Sequence, residues 1–289
     1  MSGTFIVLIG IVYTTVSLVL FAITALLLIT IVRNKEFSGS TYRIIKHICI
    51  SCLGQLFASI VGGIMTLADS YFNYYVDRIC GDLIESFWIL FLALSVTLAI
   101  DRLVIFVVPI SRTLGKTISI FCLMTSWILG LGFFVILLLP GYGFTYKSNY
   151  GYLMWFYTDE EGSQKLLNVE KYLDFCVFGL VLAIYLCVFA FLLRTKNKAN
   201  AGYRAEVRFL TIAMVSFVYE TIVIAWTFYS DRFISDGVLS NVVAMMFWTV
   251  DSGFFACATI LINSTVRKRL KAMFLNRGNK SVVKIVGTG

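Results

Sequence analysis

Histidine is almost missing from this chain: 289 residues hold one, His47, and only two prolines, Pro109 and Pro140. A single imidazole excludes histidine-based metal sets and His-paired nucleophiles. No Gly-rich phosphate loop, zinc-type spacing or paired-carboxylate motif stands in for them. No enzyme, cofactor or metal is therefore expected. His47, with no acid–cysteine set beside it, reads as a packed or capping residue. Charge is scarce as well, at 14% of residues, while 59% are hydrophobic and the mean hydropathy is +0.88. A soluble domain of this length has no way to hide that much apolar surface.

What is present is a series of long apolar runs. Seven reach the length of a membrane-crossing helix: Phe5–Val32, Ile44–Leu67, Cys80–Val108, Thr117–Leu139, Tyr172–Leu193, Val207–Tyr229 and Gly237–Ile262. The first is too long for a cleaved signal peptide and lacks a basic start and a small-residue cleavage site. The expected fold is an all-α bundle of seven transmembrane helices. Few prolines mean that its later helices lack the usual kinks.

Charge sets the orientation. With the N-terminus outside and the C-terminus inside, nineteen of the 24 basic residues face inward, among them Arg43, Arg102, Lys116, Arg204 and Arg267–Arg269. Only Arg78, Lys147, Lys165, Lys171 and Arg232 face outward. Such a bias fixes N-out, C-in. The net charge of +8 is then that of a face against an anionic leaflet, so the partner is the bilayer and no nucleic acid is implied. Seven spans with the N-terminus outside suit a receptor, whereas matched inverted halves, the mark of many carriers, are not visible. Val266, Leu270, Met273 and Phe274 recur on one face of a basic segment after the last span, giving a short amphipathic eighth helix on the inner leaflet.

One connection is long. Gly141–Lys171, on the outer side, is rich in Tyr, Phe and Trp. It reads either as a packed lid or as an interfacial aromatic belt. Acids within the spans form a second signal, because intramembrane carboxylates normally face the bundle interior or water. Glu85, Glu220 and Asp251 are accompanied by Trp88, Tyr219, Trp226 and Trp248, a mixture suited to a small ligand with a cationic or hydrogen-bonding group. The alternative for each acid is a helix–helix hydrogen bond. Asp82 is near enough to the outer interface to be solvated. Cys80 and Cys176 lie near outer helix ends, where a bridge between them or two free thiols are both open.

The stretch "LAIDRLVIFVVP", Leu98–Pro109, sets Asp101 beside Arg102 in an apolar run. Counted from Cys80, Asp101 comes 21 residues later, or about 32 Å of helix, at the inner water line. Pro109 then ends or bends the helix. "AIDRLVIFVVP" resembles the Glu/Asp-Arg-Tyr motif of rhodopsin-like G-protein-coupled receptors, with Leu103 in place of Tyr. "VRNK" at Val32–Lys35, Trp127 in "TSWILG" and "INSTVRKRLKAMF" at Ile262–Phe274 resemble further landmarks of that family. "YRIIKHICISCLGQL", Tyr42–Leu56, and "LINSTVRKRL" resemble the nematode serpentine chemoreceptors in particular. There are departures too: Cys52 takes the place of the second-helix Asp, and "FACAT", Phe255–Thr259, replaces Asn-Pro-x-x-Tyr.

The resemblance implies a chemosensory, olfaction-type receptor in the plasma membrane, in sensory neurons that of the cilium. It would pass binding of an external small molecule to a heterotrimeric G protein. Asp101 would restrain Arg102, and Asp101, Arg102 and Leu103 would form the coupling surface. Residues 1–274 would make the receptor domain and 275–289 a short basic tail. A reading from another class is an ion channel or carrier using Glu85, Glu220 and Asp251 as its path.

Overall fold

The computed structural model describes residues 3–108, 111–147, 153–194, 201–229 and 237–283. Its helices are α1 (Gly3–Arg33), α2 (Ser40–Ala68), α3 (Tyr74–Phe106), α4 (Arg112–Leu138), α5 (Glu161–Arg194), α6 (Ala201–Tyr229), α7 (Gly237–Ile262) and α8 (Ser264–Val283). The first seven are long and apolar enough to cross a membrane. One short 3-10 turn, Lys35–Phe37, joins α1 to α2. Two strands, β1 (Phe144–Lys147) and β2 (Met154–Tyr157), form an antiparallel hairpin.

Local chemistry sets the helix ends. The Asn73 side chain accepts from Val76 N at 2.9 Å and starts α3. Ser111 does the same for α4 through Leu114 N, 3.3 Å. Asp69 closes α2 in the left-handed region, at φ 45°. Asn263 starts α8 by accepting from Thr265 N and Val266 N. The Asn73, Ser111 and Asn263 side chains, and the Asp69 backbone N–H, satisfy groups that a helix end leaves unpaired. Val107 N and Val108 N both bond the Leu103 carbonyl and close α3. Pro109 lies outside the described residues.

Burial divides the helices. In their most apolar windows, α2 and α3 are 61% and 56% buried, against 28% for α1 and 22% for α4. α3 is therefore the central post, packed on α2, α4 and α5, while α1 and α4 turn wide apolar faces outward. Lipid is the natural cover for such faces. α1 and α2 approach closely at Gly63, where a Cβ would stand 2.8 Å from Thr14 N. α7 closes the ring against α1, α2 and α6.

Several helices begin earlier than their apolar runs, and three differences from the sequence reading bear on the site. The segment Gly141–Lys171 is not one long loop: residues 144–147 and 154–157 pair as strands, and α5 already begins at Glu161. The helical start was hidden because its first two turns are polar. α3 begins at Tyr74, six residues before Cys80, so the Asp101–Arg102 pair is preceded by more helix than the apolar run suggests. α8 runs to Val283, past Phe274.

Candidate functional site

Two features stand at opposite ends of α3. At one end the hairpin is plugged into the bundle. Its register sets Phe144 opposite Tyr157 and Tyr146 opposite Trp155, and all four rings are buried. Each pair meets edge to face, at 4.8 Å and 5.0 Å between centroids. Such cross-strand aromatic pairs give a two-stranded ribbon the packing it otherwise lacks.

Two carboxylates of α3 hold the free edge of β1. Asp77 Oδ1 accepts from Tyr146 N at 2.6 Å, and Asp82 Oδ1 from Phe144 N at 3.3 Å. Arg78 Nε pairs with Asp82 at 3.2 Å, and its Nη2 donates to the carbonyls of Leu137 and Tyr142. Thr66 and Tyr146 share a 2.5 Å hydroxyl contact. Asp82 is fully buried by this clamp, where the sequence suggested a solvated side chain. An edge strand with unpaired N–H groups is what these acids complete.

Beneath the hairpin lies a cavity of about 400 Å³, lined by Glu85, Phe144, Tyr157, Glu170, Phe228 and Trp248 among others. A smaller recess of about 40 Å³, bounded by Trp88 and Asp174, shares Glu170, Phe228 and Trp248 with it. Tyr157 Oη donates to Glu85 Oε1 at 3.1 Å. Burial, reinforced by Glu170 and Glu85, holds the Tyr157 hydroxyl above the ordinary tyrosine range, consistent with its role as a donor. Glu170 lies within hydrogen-bonding reach of both Glu85 and Tyr157. Trp88 lies within hydrogen-bonding reach of Asp174, and Asp174 Oδ1 has no hydrogen-bond partner among the described residues. The rings of Trp88 and Trp248 meet at 6.2 Å.

Gln55 anchors the floor. Its Oε1 accepts from Trp248 Nε1 at 3.0 Å and Ser252 Oγ at 3.2 Å, and its Nε2 donates to the Phe87 carbonyl at 3.3 Å. The buried amide thus ties α2, α3 and α7 together.

Of the residues singled out by sequence, Glu85, Trp88 and Trp248 reach these cavities. Tyr219 instead donates to the Phe247 carbonyl at 3.1 Å and stacks on Phe254. Trp226 donates to the Ser240 carbonyl at 3.3 Å. Glu220 and Asp251 are buried close enough to interact with each other, but line neither cavity. Cys80 is buried, Cys176 is exposed on α5, and both are free thiols, so the bridge between them is absent. Trp127 Nε1 donates to His47 Nδ1 at 3.1 Å, which makes His47 a packing partner of α4. Among the described residues no group of three or more His, Cys, Asp or Glu is arranged to hold a metal.

Glu170, Asp174 and Gln55 escaped the sequence reading. The first two are spaced four apart at the start of α5, a pattern that sets both on one helix face. The spacing is visible in the sequence, but the apolar run begins only at Tyr172 and leaves Glu170 outside it.

At the other end of α3, Asp101 and Arg102 are buried, at 5% and 2% exposure. The sequence put them at the water line; the structure covers them. Thr41 Oγ1 donates to Asp101 Oδ2 at 2.8 Å and accepts from Arg102 Nη2. The direct ion pair is looser, 3.7 Å. Next along α2, the Tyr42 hydroxyl accepts from Asn263 Nδ2 at 3.3 Å, at the α7–α8 turn. Leu103 packs into the cluster of Ala99, Tyr185, Val188 and Leu210 between α3, α5 and α6. An open cavity of about 610 Å³ flanks Asp101, with Arg43, Ser111 and Lys116 on its walls.

A seven-helix bundle with a central third helix, a plugged cavity at one end and an Asp–Arg pair at the other has the architecture of a rhodopsin-like receptor. The solved structure of squid rhodopsin has the same fold, at a TM-score of 0.68 and 14% identity, over 95% of this chain and 86% of that one. A search of curated proteins finds no match. The model of the serpentine-type seven-transmembrane GPCR chemoreceptor family Srt matches residues 2–282. The chain belongs to that family: it is a multi-pass membrane protein and a chemoreceptor of the G-protein-coupled type.

Proposed function

We propose that the cavity beneath the hairpin receives a small external ligand and that its occupancy is passed along α3 to a heterotrimeric G protein at the Arg102 end. The N-terminus and hairpin then face outward and the basic C-terminal segment inward, at the plasma membrane. The observation that carries this reading is that one helix holds both ends: Glu85 borders the cavity and Asp101, sixteen residues on, lies about 24 Å away along the axis. Thr41 and Asp101 restrain Arg102 in the closed arrangement. A ligand that favours a different packing of α3 against α5 and α6 would free it, and only a ligand with unequal affinity for the two packings does so.

The test is guanine-nucleotide exchange on a promiscuous G protein, in membranes carrying the chain, against a panel of small volatile and soluble ligands. Arg102→Ala is expected to abolish the response while leaving ligand binding in place. A response that survives Arg102→Ala overturns the coupling role.

A further inference from the structure

The described lining of the two neighbouring cavities holds acidic side chains and no basic ones. Glu85, Asp159, Glu170 and Asp174 border them, and no lysine, arginine or histidine appears among their described lining residues. Three of the acids are deeply buried: Glu85 at 1% exposure, Asp174 at 2% and Glu170 at 8%. Asp174 is the one that decides the chemistry. Trp88 lies within reach of its carboxyl, and Oδ1 is buried without a donor among the described residues while the side chain borders the recess. An unpaired buried carboxylate oxygen is costly, and the site has a donor missing.

The neighbouring surfaces say what kind of donor fits. Trp88, Trp248, Phe144 and Phe228 present aromatic rings around the acids, and ring faces attract organic cations. Among the described residues these acids are not arranged as a metal-holding group, and aromatic rings take the place of the all-oxygen shell that a hard cation prefers. The volume of about 400 Å³ lies near the small end of ligand pockets, which admits a small molecule and excludes a peptide of any length.

We propose that the cavity binds a small protonated amine, its ammonium group between Glu170 and Asp174 and its apolar part against Trp88 and Trp248. This rests on the reading of the cavity as the ligand site. An ammonium brings three donors and no acceptor. It therefore donates to Asp174 Oδ1 and gives the carboxyl pair on α5 a cation to face in one step. Glu170 and Asp174 sit one helical turn apart on α5, so a ligand held by both also bears on the position of α5 against α3.

The test uses the purified full chain in lipid nanodiscs, with no G protein. Butylamine and phenethylamine are compared with butanol, phenethyl alcohol and hydrocinnamate, by tryptophan fluorescence and by shift of the melting temperature. The amines are expected to bind at least about tenfold more tightly than the alcohols, and hydrocinnamate most weakly. Glu170→Gln and Asp174→Asn are each expected to weaken amine binding about ten- to a hundredfold and to leave alcohol binding unchanged. Glu220→Gln, which lines neither cavity, leaves both unchanged. Amines that bind no better than the matched alcohols overturn the proposal without recourse to any variant. So do folded Glu170→Gln and Asp174→Asn chains that bind amines as the parent does. A neutral or anionic agonist that drives Arg102-dependent exchange from this cavity overturns the amine assignment and leaves the receptor reading intact. An amine that binds without driving exchange does the reverse.

Discussion

Thr41 on α2 donates its hydroxyl to Asp101 on α3 at 2.8 Å and accepts from Arg102. One side chain thus stands between the acid and the base of the pair. Removing it without changing shape, in Thr41→Val, leaves both charged groups short of a partner, at a cost of about 1–3 kcal/mol. If this contact restrains Arg102, basal nucleotide exchange rises in the variant. A lowered melting temperature with unchanged basal exchange would make Thr41 merely structural.

Gly81 decides whether the hairpin can sit down. A Cβ there would overlap the Phe144 carbonyl, which is backbone and unable to swing aside. Gly81→Ala is expected to destabilise the chain by about 1–3 kcal/mol and to expose residues 144–157 to protease. Gly132 on α4 is the control, since no described residue stands within 4 Å of its Cβ position. Gly132→Ala should be neutral or slightly stabilising, because alanine favours the helix. Equal behaviour of the two variants would refute the close-approach argument.

The Gln55 amide is expected to matter more than its size suggests. Gln55→Leu removes the acceptor of Trp248 and Ser252 and the donor to Phe87. The Trp248 indole loses its acceptor, while Ser252 keeps the Trp248 carbonyl and the Phe87 carbonyl keeps Ser51, so a fall of a few degrees in melting temperature is expected. Gln55→Glu keeps an acceptor for Trp248 and Ser252 and should retain more of the Trp248 fluorescence signature. Identical spectra for the two variants would argue against the Trp248–Gln55 bond.

Tyr157 carries a pH dependence. Burial first, then Glu170 and Glu85, raise its ionisation above the usual tyrosine range. The folded chain therefore keeps this proton where the unfolded chain releases it. The stability it contributes is fully present below about pH 10 and is lost as the pH rises beyond. Melting curves from neutral pH upward should decline less steeply for Tyr157→Phe than for the parent in the alkaline range, by up to about 1.4 kcal/mol per pH unit for one proton. Parallel declines would show that Tyr157 ionises normally in the folded state.

The outline was legible from hydropathy alone, because a bilayer leaves a chain little choice. Backbone groups in hydrocarbon must be bonded internally, so each apolar run of sufficient length becomes a helix. The "IDRL" stretch and the "INSTVRKRL" turn were readable for a similar reason, since each is a local pattern at a helix end. The hairpin was not readable. "FTYK" and "MWFY" are too short for a strand pattern, and their stability comes from Asp77, Asp82 and Arg78, more than sixty residues before them in sequence.

Sequence by itself determined seven spans, a family likeness and an acid–base pair at the end of the third. It also narrowed the acids, because carboxylates within spans are few. Only the tertiary structure decided which acids face a cavity. Glu85 joined Glu170 and Asp174 from α5, while Glu220 and Asp251 are buried away from both cavities. The physical reason is that hydrophobic periodicity says how far a helix reaches into the membrane, whereas its rotation and its neighbours are set by packing. A side chain's chemistry is local, but its partner is chosen by the fold.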